Sequence, residues 1–213
     1  MHAVRTFQII TEAEARMLPP GEAVQLARGG HITPLAQDTL RERRITVVSE
    51  TGVPADAAAL VPAADVRSVS IGSDHTGIPF RKALVSFLRG RGLAVLDVGT
   101  DSTASVDYPD IAEAVALPVA RGEVDAGIVI DGAGIGSAIA ANKIAGIRAV
   151  MATTETIARY SREHNGANVL SLGSTLLSLE EAKAIVTTWL STAMREPRYI
   201  RRLTKIRALE RRG

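Results

Sequence analysis

The hydrophobic positions from residue 66 onward alternate between two kinds of run. Short apolar runs rich in β-branched residues are typical of buried strands, and longer stretches with apolar residues three or four apart are typical of helices. The pattern predicts strands at 66–71, 93–98, 126–130, 147–152 and 169–172. It predicts helices at 78–91, 108–121, 137–143, 154–163, 179–194 and 197–211, the last of them basic. This alternation predicts an α/β fold with a doubly wound five-stranded parallel sheet.

Residues 1–64 follow a different pattern, and we interpret them as an N-terminal extension and linker ahead of a domain at 65–213. Thr11 with Glu14 has the form of a capping box, and Thr33 before Pro34 marks a helix start. The pattern predicts short helices at 12–18, 22–28 and 35–43, and one strand at 45–48. Residues 49–64 are rich in Ala, Pro, Gly and Asp, which is typical of a linker.

Composition narrows the class of protein. Hydrophobic residues make up 46% of the 213 residues but aromatic residues only 3%, so the core must consist of Ala, Val, Ile and Leu. The chain has no Cys, which excludes disulfides, thiolate metal sites and a thiol nucleophile. No apolar run reaches the ~18 residues of a membrane span and no signal peptide is evident, so we expect a cytoplasmic protein without a membrane partner. A net charge of +2 and few aromatic rings to stack on bases argue against a nucleic-acid partner.

The stretch DAGIVIDGAGIGSAIAANK, residues 125–143, carries the strongest signal of a ligand site. An apolar strand ends at Asp131, the turn contains Gly132, Gly134 and Gly136, and a helix begins at Ser137. Glycines let backbone N–H groups approach a ligand, and the first turn of a helix leaves those donors unpaired. The stretch therefore predicts an anion site, with a plain strand-to-helix turn as the alternative.

Three further groups of polar side chains are expected near this turn. They are Asp74 and His75 after the first strand of the alternating region, His164 and Asn165 at the end of the fourth helix, and Arg198 and Arg202, four residues apart in the basic last helix. Because ligands of such sheets bind beyond the carboxyl ends of the strands, we expect all four groups to converge on that edge. Each group has a plainer alternative, since the histidines could belong to helix caps and the last helix could be a solvated basic face.

Together these residues resemble the family of ribose-5-phosphate isomerase B and galactose-6-phosphate isomerase. The matching pieces are IGSDHTG, LDVGTDS, VDYPD, GIVIDGAGIGSAIAANKIAGIRA, SREHNGANVLSLGS and the arginine pair, spread over residues 66–206. The resemblance implies a Rossmann-like fold and a homodimer or tetramer whose active sites are shared between subunits. It also implies interconversion of an aldose phosphate and a ketose phosphate without a metal or an organic cofactor, with ribose 5-phosphate as the leading substrate and other tetrose, pentose or hexose phosphates as alternatives.

The resemblance assigns roles by position. Asp74 would contact substrate hydroxyls, His75 would help to hold the phosphate and Tyr108 would line the pocket. His164 would assist ring opening beside Asn165. The remaining substrate-binding positions are Gly132, Ala133, Gly134, Ile135, Gly136 and Ser137 in the turn, of which the backbone from Gly132 to Gly136 would bind the enediolate, and Arg198 and Arg202, which would reach the phosphate from the partner subunit.

The sequence departs from the family pattern at the proton-transfer position. Asp131 stands where the family commonly has the Cys that moves the proton, and Ser137 stands where a second branch has a Glu. Ala133 and Thr175 replace a Thr and an Arg that many members carry. A carboxylate is a weaker base than a thiolate, but Glu serves elsewhere in the family. Our hypothesis is that Asp131 is the base. The alternatives are that Asp131 only hydrogen-bonds sugar hydroxyls while the substrate or the reaction differs, or that the chain is a subunit that binds sugar phosphate without turning it over.

Two further interpretations concern other parts of the sequence. The piece GGHITPLAQDTLRERRI resembles short segments of proteins associated with bacterial microcompartments, and the alternative is an extra layer that packs on the dimer. The run GAGIG hints at a nucleotide-binding dehydrogenase, but it follows the third strand of the alternating region and lacks the GxGxxG spacing.

Overall fold

The computed structural model describes residues 5–49, 60–194 and 197–210, and the chain divides into two compact units, residues 1–60 and 61–213. The predicted linker lies largely outside the described residues. Among the helices of the described ranges, none combines the length and the apolar composition that crossing a bilayer requires.

The N-terminal unit, residues 1–60, is a three-stranded parallel sheet with two helices. Its elements are β1 (Thr6–Ile10), α1 (Glu12–Met17), β2 (Ala23–Ile32), α2 (Pro34–Glu42) and β3 (Thr46–Ser49). The strands lie in the order β1-β2-β3. The predicted capping box is present, because the Thr11 hydroxyl accepts from the Glu14 N–H while the Glu14 carboxylate accepts from the Thr11 N–H.

One predicted helix of this unit is wrong. Residues 22–28 fall in or next to β2, and β1 was not predicted, so the described part of the unit has three strands where one was expected. In β2 the side chains of Val24 and Leu26 are buried, whereas Ala23 is exposed and Gln25 is half-buried. This alternation has the two-residue period of a strand with one face on a core. The buried face joins a small core of its own with residues of both helices, including Ala15 and Leu40.

The C-terminal unit, residues 61–213, contains the predicted doubly wound sheet. Its elements are β4 (Ser68–Ser73), a 3-10 turn (His75–Gly77), α3 (Ile78–Gly90), β5 (Ala94–Asp97), α4 (Tyr108–Ala120), β6 (Ala126–Asp131), α5 (Ile135–Ala141), β7 (Ala149–Met151), α6 (Glu155–Asn165), β8 (Val169–Gly173), α7 (Leu179–Ser191) and α8 (Pro197–Glu210). The five strands are all parallel and lie in the order β5-β4-β6-β8-β7.

Two apolar cores cover the two faces of this sheet. On one face Ile128 and Ile130 of β6 pack with α3, α6 and α7, including the fully buried Trp189. On the other face Val129 packs with α4 and α5, including Val115. Alternate residues of β6 thus point into different cores, which explains why this strand is an unbroken apolar run.

The strand order places a crevice between β4 and β6. From β4 the chain moves first to β5 on one side and later to β6 on the other side, so the helices that follow β4 and β6 lie on opposite faces. Doubly wound sheets bind ligands at such a switch point, beyond the carboxyl ends of the strands. Asp74 and Asp131, which follow or end these two strands, are therefore placed at the edge where a ligand is expected.

Candidate active site

The turn after β6 is held in one shape by its neighbours. Gly134 has a positive φ of 77°, and an ideal Cβ at this position would lie 2.9 Å from the backbone nitrogen of Gly173, so only glycine fits. The Thr175 hydroxyl donates to the carbonyl of Gly132 at 2.6 Å, and the Ser171 hydroxyl donates to the carbonyl of Gly134 at 2.6 Å. These contacts fasten the turn to the end of β8, which makes it a rigid platform.

Asp131 turns its carboxylate back onto this platform. Its side chain is only 5% exposed. Oδ1 accepts from the N–H of Gly134, while Oδ2 accepts from the N–H of Ser137 at 3.0 Å and from the Ser137 hydroxyl at 2.5 Å. Ser137 is fully buried. Its side chain therefore orients Asp131 and does not face a ligand.

Four N–H groups of the turn remain for a ligand. Those of Gly132, Ala133, Ile135 and Gly136 donate to no acceptor within the described ranges. Two of them belong to the first turn of α5, where a helix has no internal acceptor. Within the expected backbone cradle from Gly132 to Gly136, the Gly134 N–H is already used by Asp131.

Asp74 and His75 lie at the end of β4, beside the turn. Asp74 caps the 3-10 turn, since its Oδ1 accepts from the N–H and hydroxyl of Thr76 at 2.9 and 2.6 Å. Its other oxygen, Oδ2, has no partner among the residues that the structure describes. His75 Nδ1 accepts from the Val106 N–H at 3.3 Å, so the neutral ring carries its proton on Nε2. His75 can thus donate a hydrogen bond from Nε2 to an anion.

Tyr108 completes this part of the site. It is the first residue of α4, is 42% exposed and covers the turn: an ideal Cβ on Gly136 would lie 2.6 Å from the ring carbon Cζ. Asp74 joins the same region through its N–H, which donates to the carbonyl of Ile130 at 3.2 Å. We call Asp74, His75, Tyr108 and residues 131–137 the carboxyl-edge cluster.

The remaining predicted residues lie at the opposite edge of the sheet. α6 starts beyond the carboxyl end of β7 and runs back, so that His164 and Asn165 end it just before β8 begins. Its eleven residues span about 16 Å. The expectation that all four groups converge on one edge of the same chain is therefore wrong for His164 and Asn165. The physical reason is that these residues end a helix, whereas Asp74 and Asp131 end strands.

α8 brings the two arginines to the same place as His164. The Tyr199 ring lies 4.6 Å from the His164 ring, centroid to centroid, and the guanidinium carbons of Arg198 and Arg202 lie 4.8 and 5.6 Å from the Tyr199 centroid. We call His164, Asn165, Arg198, Tyr199 and Arg202 the amino-edge cluster. No hydrogen bond, ion pair or ring contact between described residues joins it to the carboxyl-edge cluster.

Sequence reasoning missed two aromatic residues around His164. Tyr160 stacks on the imidazole at 4.7 Å with an interplanar angle of 18°, and the Tyr199 ring lies 4.6 Å from it, tilted by 34°. The signals were available: Tyr160 precedes His164 by four residues in a helix, and Tyr199 stands next to Arg198.

A buried arginine fixes the helix end that carries His164. Arg162 is fully buried, donates to the carbonyl of Ala167 at 2.9 Å and lies 4.7 Å from the Trp189 ring. Burial, and next the repulsion from Arg148, lower the pKa of Arg162 to about 10.

As for metals, the described part of the chain holds no group of three His, Asp or Glu side chains that could bind an ion.

Comparison with known proteins places this geometry in a family. The Ribose/Galactose Isomerase family matches residues 69–206. Ribose-5-phosphate isomerase B of Escherichia coli is 46% identical over 147 residues, which cover 69% of this chain and 99% of the relative. The chain therefore belongs to the Ribose/Galactose Isomerase family, a class of sugar-phosphate isomerases.

Two solved structures support the same assignment. Ribose-5-phosphate isomerase B of Clostridium thermocellum has a TM-score of 0.67 and 46% identity, and it covers 68% of this chain and 98% of its own. The Mycoplasma genitalium enzyme, solved with bound ribulose 5-phosphate, has a TM-score of 0.66 and 36% identity, with coverage of 68% and 97%. The structural likeness thus spans nearly the whole of each relative and about two thirds of this chain.

Proposed function

We propose that this protein is an aldose–ketose isomerase of a sugar phosphate, and that its leading reaction converts ribose 5-phosphate to ribulose 5-phosphate. The observation that carries the proposal is the carboxyl-edge cluster, which sets an acid, a donor histidine and free N–H groups at the switch point of a sheet whose relatives are named ribose-5-phosphate isomerases. Other tetrose, pentose or hexose phosphates remain alternative substrates.

The proposed reaction moves one proton between neighbouring carbons. A base removes the proton from C2 of the open-chain aldose, which gives an enediolate with its negative charge on the C1 oxygen, and protonation of that oxygen gives the enediol. Return of a proton to C1 and loss of the proton on the C2 oxygen then give the ketose. We assign the base to Asp131 and the stabilisation of the enediolate oxygen to the N–H groups of Gly132, Ala133, Ile135 and Gly136.

The rest of the cluster would bind the sugar. Asp74 Oδ2 is available to accept from a sugar hydroxyl, because only Oδ1 is used by Thr76. His75 Nε2 would donate to the phosphate, and the exposed face of Tyr108 would line the pocket. Each of these side chains is held from behind by a hydrogen bond or by packing, so little further ordering is needed on binding.

We further propose a homodimer, alone or within a tetramer, in which the amino-edge cluster of one protomer faces the carboxyl-edge cluster of its partner. Within one chain, the length of α6, about 16 Å, separates His164 from the edge of the sheet that bears Asp131. A partner copy related by a twofold axis could supply His164 and Asn165 for ring opening, and Arg198 and Arg202 for the phosphate.

Mixing two inactive variants tests the shared site. Asp131→Asn and His164→Gln subunits, allowed to exchange, form hybrids in which one site carries both changes and the other neither. Random pairing then restores about a quarter of the wild-type sites. Activity that stays at the level of the separate variants would exclude a site built from two subunits.

Turnover itself is tested by NMR in deuterated water with a panel of aldose and ketose phosphates. Incorporation of deuterium at C2 of ribose 5-phosphate together with formation of ribulose 5-phosphate is the expected result. If another sugar phosphate exchanges instead, the substrate assignment is wrong but the reaction class stands. If none exchanges, isomerase activity is excluded for the chain alone.

A second candidate is a subunit that binds sugar phosphate without turnover. It is favoured by the hydrogen bonds of Asp131, whose two oxygens already accept from the turn. Asp131→Cys and Ser137→Glu install the bases found in the two branches of the family. A silent wild-type protein that gains activity through either change would support this second candidate.

The N-terminal unit is proposed to act in assembly, and the protein to reside in the cytoplasm or inside a bacterial microcompartment. The unit has its own small core and is separate from residues 69–206, which match the family. Removal of residues 1–64 tests the proposal. Retained turnover with lost co-assembly supports it, whereas unchanged co-assembly, or a dimer that falls apart, contradicts it.

A further inference from the structure

Tyr199 links the two functional parts of the amino-edge cluster. Its ring faces the imidazole of His164 at 4.6 Å, and the guanidinium carbon of Arg198 lies 4.8 Å from the same ring. Its hydroxyl oxygen accepts from Arg198 Nη2 at 2.9 Å. One side chain therefore touches both the proposed ring-opening histidine and a proposed phosphate-binding arginine.

Tyr199 is largely buried. It is 7% exposed, and with Ile200 and Leu203 it forms the buried face of α8. Arg198 and Arg202, one turn of helix apart, are exposed on the same helix. The tyrosine is thus fixed by burial, while the arginines that it contacts extend to solvent.

We propose that Tyr199 is a positioning residue, which holds His164 with its ring and Arg198 with its hydroxyl so that ring opening and phosphate binding share one geometry. The proposal rests on the isomerase function proposed above. An arginine side chain has several rotatable bonds, and a hydrogen bond to a buried hydroxyl removes part of that freedom before the phosphate arrives. The rings of Tyr199 and Tyr160 both contact the imidazole and restrict its orientation, while its side chain stays 33% exposed.

The hydroxyl contact can be removed alone or together with the ring contact. Tyr199→Phe keeps the ring and deletes the hydroxyl, so we expect KM for ribose 5-phosphate to rise about tenfold with kcat within about twofold of wild type. Tyr199→Leu deletes the ring as well, so kcat should also fall about tenfold. Ile200→Ala is the matched control, because it weakens the same buried face of α8 and should lower the melting temperature without changing kcat or KM.

A merely structural tyrosine gives a different result. Tyr199→Phe would then match the wild type in both kcat and KM, and this outcome overturns the proposal even if Tyr199→Leu does not fold. A fall in kcat alone in Tyr199→Phe also overturns it, since the hydroxyl contacts Arg198 and not His164. If the wild type turns over no sugar phosphate, the isomerase function has failed, and binding of inorganic phosphate decides the inference. Binding about tenfold weaker in Tyr199→Phe supports it, and equal or absent binding overturns it.

Discussion

The Asp131→Asn variant separates the chemical role of this carboxylate from its structural role. Asparagine has nearly the same shape but offers one acceptor oxygen and one NH₂ donor in place of two acceptors. In the native protein Oδ1 accepts from the Gly134 N–H, and Oδ2 accepts from the Ser137 N–H and hydroxyl. Whichever way the amide is turned, its NH₂ group faces an N–H donor.

The cost follows from the hydrogen bonds that are lost. If the amide oxygen stays with Gly134, the Ser137 hydroxyl can rotate to accept from the amide, but the Ser137 N–H loses its acceptor in a buried place. We expect the free energy of unfolding to fall by about 2–3 kcal/mol, the range for loss of a charge-assisted hydrogen bond that leaves a buried donor unsatisfied. For a unit of this size the melting temperature should fall by about 5–10 °C.

The assay combines thermal unfolding with deuterium exchange into ribose 5-phosphate. If Asp131 is the base, the exchange rate of Asp131→Asn should fall by a factor of about 10²–10⁴. This fall is far larger than the decrease in the fraction of folded protein could explain. Asp131→Cys is the matched control, because it loses the same hydrogen bonds yet restores the thiol common in the family, and so should be destabilised but active. Near-native turnover of Asp131→Asn would refute the assignment of the base, and native stability would refute the role of the hydrogen bonds.

Two further substitutions test the platform around the site, and a third tests a carboxylate just before the amino end of β6. Gly134→Ala should destabilise the protein by at least about 2 kcal/mol in urea unfolding and abolish turnover, because its Cβ meets the backbone of Gly173 and its φ is positive. Gly136→Ala should leave the melting temperature nearly unchanged but raise KM severalfold, since the ring of Tyr108 can swing away; an unchanged KM would remove Tyr108 from the pocket. Burial opposes the charge of Asp125, but hydrogen bonds from the start of β4 outweigh it and lower the pKa of Asp125. The stability that the Asp125 carboxylate contributes is therefore complete above its ordinary pKa, and it is lost as the pH falls through the lower pKa of the folded protein. The difference in unfolding free energy between wild type and Asp125→Asn, measured by urea unfolding, should therefore shrink between pH 5 and pH 2. A constant difference would contradict this.

The sheet of the C-terminal unit could be predicted because its strands are apolar on both faces. β6 and β8 are buried along their whole length, and such runs between helical stretches have no other plausible structure. The helix starts were also predictable, since Thr33 and Ser178 accept from N–H groups of the helices that follow them.

β2 was mistaken for a helix because many of its residues are small or polar, so the alternation of buried and exposed side chains is hard to recognise in the sequence. Gly30, just beyond the predicted helix at 22–28, lies inside the strand at a place where two backbones come close. An ideal Cβ there would lie 2.6 Å from the carbonyl oxygen of Gln8, next to an irregularity in the register of β1. A glycine that serves such an approach is indistinguishable in sequence from one that ends a helix.

The sequence indicates candidate site residues more readily than their arrangement. Motif spacing points to Asp131 and His164 as candidates, but the edge on which each lies depends on whether a strand or a helix ends there. The sequence also could not show that the Asp131 carboxylate folds back onto Ser137, because both the role of a base and that of a cap fit an acid before a glycine turn.

The carboxylate held by this turn also bears on how the protein would respond to oxidants. A thiolate in this position can be converted by peroxide to sulfenic and then sulfinic acid, with loss of its function as a base. A carboxylate has no such chemistry, and this chain contains no Cys elsewhere. Proton transfer by Asp131 would therefore be independent of the redox state of its surroundings.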